Sequence, residues 1–431
     1  MKEITLNEDQ EYASQEFTKF LLNKDSKYFI LRGSAGTGKT TLVKHLIDTI
    51  KPRLQLYSLL LNDKKVEYSI ELVATTNKAA AVLGELSNTK CVTLHSRLGL
   101  IPKENYQTGE IDFIRDRNYT NIYNTILIID ECSFVSDELF AHLDHATKNC
   151  KVILIGDPYQ LAPVKQDIPV MDSVEGVNVS LEKIMRHGGI IAHTGAKYRE
   201  AVKTGEFSPI TVDGKVIQHV NGPTFQQMIH DTFTSPDFSE NSAKVLAWLN
   251  ETVNKYNMYI RSVRGQSNLF NETDVLTTNR PIIIGKNVIA NTEDVVKIHP
   301  CDEFIEEYGV EGRNATIGNY TYKFFLPNDT VQAAKVIKSF KLKKQWHTYF
   351  EILNRWLDLR PSFASTVYKA QGSTYDKVFI NLSDIGRCRN PSDVARMMYV
   401  AITRASKQVI LYGTLPPVYQ GVLNVKENIA A

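Results

Sequence analysis

The chain has few cysteines and none in pairs. Five of them, Cys91, Cys132, Cys150, Cys301 and Cys388, are scattered over 431 residues without a C-x-x-C spacing. That excludes a disulfide framework, a dithiol redox couple and a cysteine zinc site, and it reads as reduced, packed thiols. Long hydrophobic runs are also missing. The longest, such as Ile126-Leu127-Ile128-Ile129, are strand-sized, far short of the roughly 18 residues a bilayer crossing needs. The start, Met1 to Gln10, is charged and has no signal-peptide core, so a soluble, intracellular protein is expected. Neither H-E-x-x-H nor G-x-S-x-G occurs, which leaves zinc-protease and serine-hydrolase chemistry without support. His142 and His145 lie three apart on an expected helix but have no evident third ligand, so a solvated face is the simpler reading. There is no repeat or low-complexity tract. The net charge is only +2, with 43% hydrophobic and 23% charged residues; this is ordinary globular composition, and it excludes a disordered, collagen-like or coiled-coil chain. At roughly 100–200 residues per domain, the length suggests two to four domains.

Hydrophobic patterning predicts a helix from Asn7 to about Leu22, then a buried strand at Lys27 to Arg32, a glycine-rich turn and a helix from about Lys39. Further strands are expected at Ile70 to Thr75, Thr125 to Asp130 and Lys151 to Ile155, with helices near Asn77 to Leu86 and Asp137 to Lys148. The same rhythm returns with strands at Val245 to Leu249, Phe363 to Val367, Lys377 to Leu382 and Gln408 to Leu411, and helices from Glu251 and over Pro391 to Arg404. Strands alternating with helices argue for two α/β lobes with mainly parallel sheets. Two stretches break the pattern. Ile101 to Ile122 reads as a small hairpin, with Thr108-Gly109 as its turn and Ile111 and Phe113 alternating along a strand. Thr277 to Leu359 has no βαβ signature and is expected to form a β-rich insertion. Within it, Val331 to His347 carries Lys335, Lys338, Lys341, Lys343 and Lys344 with no acid, beside Phe340 and Trp346. This run suits either a nucleic-acid contact or a solvated lysine face.

Gly33-Ser34-Ala35-Gly36-Thr37-Gly38-Lys39-Thr40 fits G-x-x-x-x-G-K-[ST] and lies between an expected strand and an expected helix, the context this pattern requires. Its glycines let backbone N–H groups curl around phosphates, whose charge a helix N-terminus also favours. Lys39 would neutralise the β and γ phosphates of a nucleotide, and the Thr40 hydroxyl would ligate Mg2+. Ile126 to Ile129 delivers Asp130 and Glu131 to the carboxyl edge of the sheet, where ligands bind in open α/β folds. There Asp130 would hold Mg2+, and Glu131 would orient and deprotonate the attacking water. Two acids after a strand can also simply open a surface helix.

A phosphate loop is shared by kinases, GTPases, recombinases and motors. The remaining motifs resemble those of superfamily 1 DNA helicases, in the 5′-to-3′ branch of the RecD and Dda type, and the short length suits the Dda type. The ordered series is Gln10; Gly33 to Thr41; Ala74 to Ala80; Thr93 to Ser96; Asp130-Glu131; Gly156 to Pro163; Leu181 to Arg186; Val245 to Trp248; Thr366 to Ser373; and Tyr399 to Ala405. The resemblance implies two RecA-like lobes. The first (1A, ATP-binding) would span 1–100 and 123–180, and the second (2A) 181–276 and 360–431. The pin hairpin (1B) would be 101–122, and an SH3-like β-rich insertion (2B) 277–359. It further implies that Gln10 reads the adenine edge, that Gly33 to Thr41 with Gln371 and Gly372 bind nucleotide, and that Gln160 senses the γ-phosphate. Arg186 and Arg404 would stabilise charge on the transferred phosphoryl group. The nucleotide would sit between the lobes and hydrolysis would drive a stroke. Thr76, Asn77, Lys78, Thr93 and His95 in the first lobe, and Trp248, Thr366 and Lys369 in the second, are the implied DNA contacts. These are residue types suited to phosphate and sugar contacts that do not read sequence. Trp248 stands where Phe is usual, Leu249 where Thr is usual and Tyr368 where His is frequent. Trp248 reads either as a stacking surface or as a core aromatic. Phe113, with Tyr106 second, is the candidate wedge at the duplex junction; either could instead pack the hairpin down.

The implied activity is ATP-dependent 5′-to-3′ translocation on single-stranded DNA with duplex unwinding, by a monomer in the cytoplasm, or in a host's cytoplasm if phage-encoded. Its partners would be single strands and duplex junctions, with single-strand-binding or replication proteins as candidates. The alternative is a nucleic-acid-stimulated translocase without strand separation, or one acting on RNA. A small-molecule kinase or GTPase gives no role to Lys369 to Gly372 and Arg404, and a non-enzymatic scaffold gives none to Lys39, Thr40, Asp130 and Glu131. The low net charge does not discriminate between these.

Overall fold

In the computed structural model, which describes residues 5–60, 68–87, 89–163, 169–183, 189–285, 287–419 and 422–424, the apolar runs of the first half pair into one six-stranded sheet. Its order is Val177–Leu181, Tyr28–Gly33, Lys151–Gly156, Thr125–Asp130, Ser69–Ala74 and Cys91–Thr93, every neighbouring pair parallel. Successive strand side chains point to opposite faces, and the two cores divide accordingly. Phe29, Leu31, Ile126, Ile128, Ile153 and Ile155 join the cluster that includes Phe17, Phe20 and Leu42. Tyr28, Ile30, Leu127, Ile129, Val152 and Leu154 join the one that includes Leu94, Leu139 and Leu143. A parallel sheet buried on both faces reads as continuous apolar runs rather than alternating ones, so these strands were legible. Each such side chain contributes roughly 1.5–3 kcal/mol.

The helix Glu8–Leu22 starts at a capping box in which Asn7 and Gln10 bond each other's backbone N–H, and it buries Ala13, Phe17, Phe20 and Leu21. Contacts group the chain into two units. One comprises Met1–Leu100, Arg115–Thr211 and Asn390–Thr403; the other comprises Ile101–Ile114, Val212–Arg389 and Arg404–Ala431. The helices Ile190–Thr204 and Pro391–Thr403 therefore count with the first sheet.

The second unit holds a five-stranded parallel sheet in the order Ile217–Val220, Ala405–Tyr412, Tyr375–Asn381, Ala243–Ala247 and Ala364–Thr366. Around it the aromatics Phe225, Phe233, Phe363 and Phe379 pack as one cluster. Between Leu276 and Pro361 lies a β-rich module: Leu276–Thr278 pairs with Val295–Val296 and Leu359–Pro361, and Ile298–Glu307, Val310–Ile317 and Phe324–Pro327 form an antiparallel sheet. The module ends in two helices, Thr330–Leu342 and Trp346–Arg355, so Lys335, Lys338 and Lys341 of the basic run are on a helix while Lys343 and Lys344 fall in the turn after it. The first of these helices opens at Asp329, whose carboxylate accepts the N–H groups of Val331 and Gln332 at 2.8 and 3.0 Å. The strands Leu100–Glu104 and Ile111–Arg115 pair as the expected hairpin. No helix among the described residues is long and apolar enough to cross a membrane.

Candidate functional site

All six strands of the first sheet run the same way, so their carboxyl ends form one edge. The phosphate loop leaves this edge from Tyr28–Gly33 and enters the helix that begins at Lys39. Gly36 and Gly38 have φ of 85° and 80°, the left-handed region that side chains disfavour. A Cβ on Gly33 would lie 2.6 Å from Thr37 Oγ1. Lys39 Nζ donates to the carbonyls of Gly33 at 2.5 Å and Ser34 at 3.1 Å, which holds its ammonium inside the loop. Thr40 and Thr41 are exposed at the start of the helix. Gln10, buried, donates from Nε2 to Gly38 O at 3.2 Å while its Oε1 accepts from Asn7 N, so its amide braces the loop.

Two strands across, Asp130 ends Thr125–Asp130. Burial raises the pKa of its carboxyl above the ordinary value, against the pull of the Glu131 N–H and of Lys39. A cation beside it would relieve that cost, so the residues present fit a Mg2+ ion, which Asp130 and Thr40 would hold. Glu131 sits at φ 52°, ψ 41°, a conformation costing a non-glycine residue roughly 1–2 kcal/mol. The Thr75 hydroxyl bonds its carbonyl at 3.0 Å. The turn thus brings both acids to the sheet edge.

The strand between them, Lys151–Gly156, leads into Asp157 and Gln160. Asp157 is fully buried and accepts Tyr159 N at 3.0 Å, Gln160 Nε2 at 3.4 Å and the Tyr399 hydroxyl at 2.6 Å. Tyr399 in turn accepts the Ala35 N–H of the phosphate loop at 2.7 Å. A continuous path therefore runs from the loop through Tyr399 and Asp157 to Gln160, whose carbonyl takes Arg396 Nη1 at 2.6 Å. From the helix Ile190–Thr204, Arg199 Nη1 donates to Ser34 Oγ at 2.9 Å. Arg32, Arg199, Lys203 and Arg396 line a cavity of about 290 Å³ beside Gly33 and Ser34. Arg186 lies outside the described residues.

The other candidates fall on the far half of the edge, after Ser69–Ala74 and Cys91–Thr93. Thr76 accepts Ala79 N at 3.2 Å and Thr93 accepts Ser96 N at 3.2 Å, so both cap short helices. Asn77 opens one of them, with Lys78 next in the chain. Burial, with His142 adding to it, lowers the His95 pKa, so its imidazole is neutral at pH 7.

In the second unit, Ala247 pairs with Thr366, which brings Trp248, Thr366 and Lys369 to one sheet edge. Trp248 is half-buried. The N–H groups of Trp248 and Leu249 donate to Asp384 Oδ2 at 2.7 and 2.9 Å, a contact with no local sequence signal. Thr366 caps the turn by accepting Lys369 N at 3.4 Å. Lys369 Nζ is 2.9 Å from Glu293 and also bonds Asn279; burial, with Arg360, lowers its pKa against Glu293. Gln371 is buried and Gly372 has φ 75°. Arg404 Nη1 donates to Ser373 O at 3.1 Å. In the hairpin, Tyr106 packs on His347 and Phe350, with ring centroids 4.6 and 5.1 Å apart, and Phe113 is 38% exposed.

The first unit is a P-loop nucleotide-binding fold, defined by the strand, glycine loop and helix together with the acids two strands away. Residues 5–214 match the AAA domain, and residues 361–412 match the UvrD-like helicase C-terminal domain. The chain is thus similar to both domains, and its relatives include helicases of the RecD and Dda type. It is 25% identical to the ATP-dependent DNA helicase dda of Enterobacteria phage T4, covering 90% of this chain and 94% of that one. With the RecBCD enzyme subunit RecD of Mycolicibacterium smegmatis the identity is 23%, over 89% and 68%. Among solved structures, a Pif1 helicase from Bacteroides in complex with ADP-AlF3 and single-stranded DNA aligns with a TM-score of 0.49 at 14% identity, over 99% of this chain and 96% of that one.

Proposed function

We propose that the chain is an ATP-dependent DNA helicase that translocates 5′-to-3′ on single-stranded DNA and opens duplex at the junction. The observation that carries this reading is the shared edge of the first sheet. Its inner strands hold Gly33 to Thr41, Asp130, Glu131 and Gln160, its outer strands hold Thr76, Asn77, Thr93 and His95, and the loop is joined to Gln160 through Tyr399 and Asp157.

In this reading Lys39 and the loop N–H groups hold the β and γ phosphates of ATP. Thr40 and Asp130 hold Mg2+, which neutralises phosphate charge when bound. Glu131 takes the proton of the attacking water, a contribution of roughly 10²–10⁴ in rate. Gln160 registers the γ-phosphate, and Arg404 and Arg186 supply positive charge where it develops on the phosphoryl oxygens. When phosphate leaves, the Ala35–Tyr399–Asp157 path relays the change away from the loop. The outer strand ends and the Trp248, Thr366 and Lys369 edge grip the DNA backbone. Lys369 exchanges Glu293 and Asn279 for a phosphate when the strand arrives. Division into an ATP-binding lobe, a pin, a second lobe and an SH3-like insertion at 101–122 and 277–359 belongs to the same proposal, with Phe113 as the wedge residue and Tyr106 seating the pin.

The test is steady-state ATP hydrolysis with Mg2+, with and without single-stranded DNA, on the wild type and Lys39→Ala. Hydrolysis stimulated by DNA and abolished in the variant is expected. Hydrolysis indifferent to DNA would overturn the motor reading.

A further inference from the structure

The helix Thr330–Leu342 has two unlike faces. Val336, Ile337 and Phe340 pack against the small core of Val310, Phe325, Ile352 and Trp356. Lys335, Lys338 and Lys341 follow one another at i, i+3 steps and are all exposed. Lys343 and Lys344 lie in the turn that follows the helix, also exposed. No acid occurs between Thr330 and Phe350. The carboxylate nearest in sequence, Asp329, is committed to capping the helix. None of the five lysines takes part in an ion pair or a side-chain hydrogen bond among the described residues. Ammonium groups so close along one helix and the turn after it repel each other, and no ion pair among the described residues offsets that.

The helix that follows carries the hairpin. Trp346 lies against Gly109 at the hairpin turn, where an added Cβ would be 2.1 Å from the ring. Tyr106 packs on His347 and Phe350, and Asn354 Nδ2 donates to Glu104 Oε1 at 2.5 Å. The lysine ridge is therefore fixed to the element proposed to part the strands.

We propose that the Lys335–Lys338–Lys341 ridge binds the phosphate backbone of the unopened duplex ahead of the pin; this rests on the helicase reading above. Single-strand sites combine basic residues with aromatic platforms on which bases stack. Here the aromatics of the run are spent elsewhere: Phe340 packs on Tyr308 and Trp346 on Gly109 and Tyr349. A ridge of charge without a stacking surface suits a duplex, whose base faces are closed. At about 1.5 Å per residue, Lys335 to Lys341 spans roughly 9 Å. Duplex DNA presents about one phosphate charge per 1.7 Å of axis, so the three amines run beside about five phosphates.

The experiment compares wild type with Lys335→Ala/Lys338→Ala/Lys341→Ala in binding to a single strand and to a fork carrying the same strand as its tail, over a salt series. Alanine keeps the helix, and a triple Lys→Arg variant restores the charge. Each duplex phosphate neutralised contributes about 0.9 to the slope of log affinity against log salt. The triple alanine variant is expected to lower the fork slope by roughly 2.7, so that its deficit shrinks about 40-fold between 50 and 200 mM salt. The single-strand slope and DNA-stimulated ATP hydrolysis should stay unchanged, and the arginine variant should match wild type. An equal loss on both DNAs would make the ridge part of the single-strand track, and no loss on either would make it a solvated face; both overturn the proposal. Absence of DNA-stimulated hydrolysis in the wild type would instead bring down the helicase reading itself.

Discussion

Removing the Tyr399 hydroxyl is the sharpest perturbation of the nucleotide site, because that one oxygen joins the phosphate loop to the Asp157–Gln160 segment. Tyr399→Phe deletes a 2.6 Å bond to a fully buried carboxylate and strands the Ala35 N–H that it accepts at 2.7 Å. A bond to a charged group contributes about 1.5–3 kcal/mol, and an orphaned donor costs about 1–3 more when fully buried. Ala35 is only half-buried, so water can recover part of the second term. A net loss of about 2 kcal/mol is expected. In a unit of roughly 200 residues this lowers the thermal midpoint by about 4–8 °C. ATP hydrolysis on single-stranded DNA should fall about tenfold, equivalent to about 1.4 kcal/mol of lost alignment. Tyr198→Phe supplies the control. Its hydroxyl is buried with no hydrogen-bond partner among the described residues, so deleting it should be neutral or stabilise by up to about 1 kcal/mol. Differential scanning fluorimetry and a coupled ATPase assay read both variants. Tyr399→Phe behaving like Tyr198→Phe, within about 0.5 kcal/mol and with unchanged hydrolysis, would refute the path from loop to Gln160.

Three other substitutions test separate parts of the account. Asp384→Ala removes the acceptor of the Trp248 and Leu249 N–H groups and of the Thr252 hydroxyl. It should cost about 2–3 kcal/mol and shift the Trp248 fluorescence, read from a thermal melt and an emission spectrum. Glu131→Gln keeps the side-chain size but cannot accept a proton, so hydrolysis should drop at least about 100-fold while ATP affinity, measured by calorimetry, is kept. The His95 pKa is depressed by burial, so the unfolded chain takes up the proton first as pH falls. The associated stability is complete above the ordinary histidine value of about 6.5 and is lost as pH drops through the lower folded value. His95→Gln should flatten the fall in thermal midpoint between pH 7 and 5; an unchanged slope would assign that fall to other groups.

The sequence made the sheet edge legible wherever local chemistry dictates it. Apolar runs such as Ile126 to Ile129 must be buried on both faces, the glycines around Lys39 need left-handed backbone, and acids after a buried strand can only emerge at its end. What stayed hidden depends on contacts between distant segments. Tyr399 sits in the apolar helix Pro391–Thr403, where it reads as one more core aromatic; its bonds to Ala35 and Asp157 span hundreds of residues. Asp384 and Arg199 carry no local signal for the same reason. The basic run was visible as charge, but the helix under Lys335, Lys338 and Lys341 and the packing of Phe340 and Trp346 follow from the β-rich module and the hairpin against which they rest.

The most direct test of the central claim is strand displacement with Mg2+ and ATP on two duplexes that differ only in carrying a 5′ or a 3′ single-stranded tail, with Lys39→Ala alongside. Displacement from the 5′-tailed duplex alone, lost in the variant, is the predicted result. Opening from the 3′ tail would contradict the polarity. Failure to open either, while single strands still stimulate ATP hydrolysis, would contradict strand separation and leave a translocase.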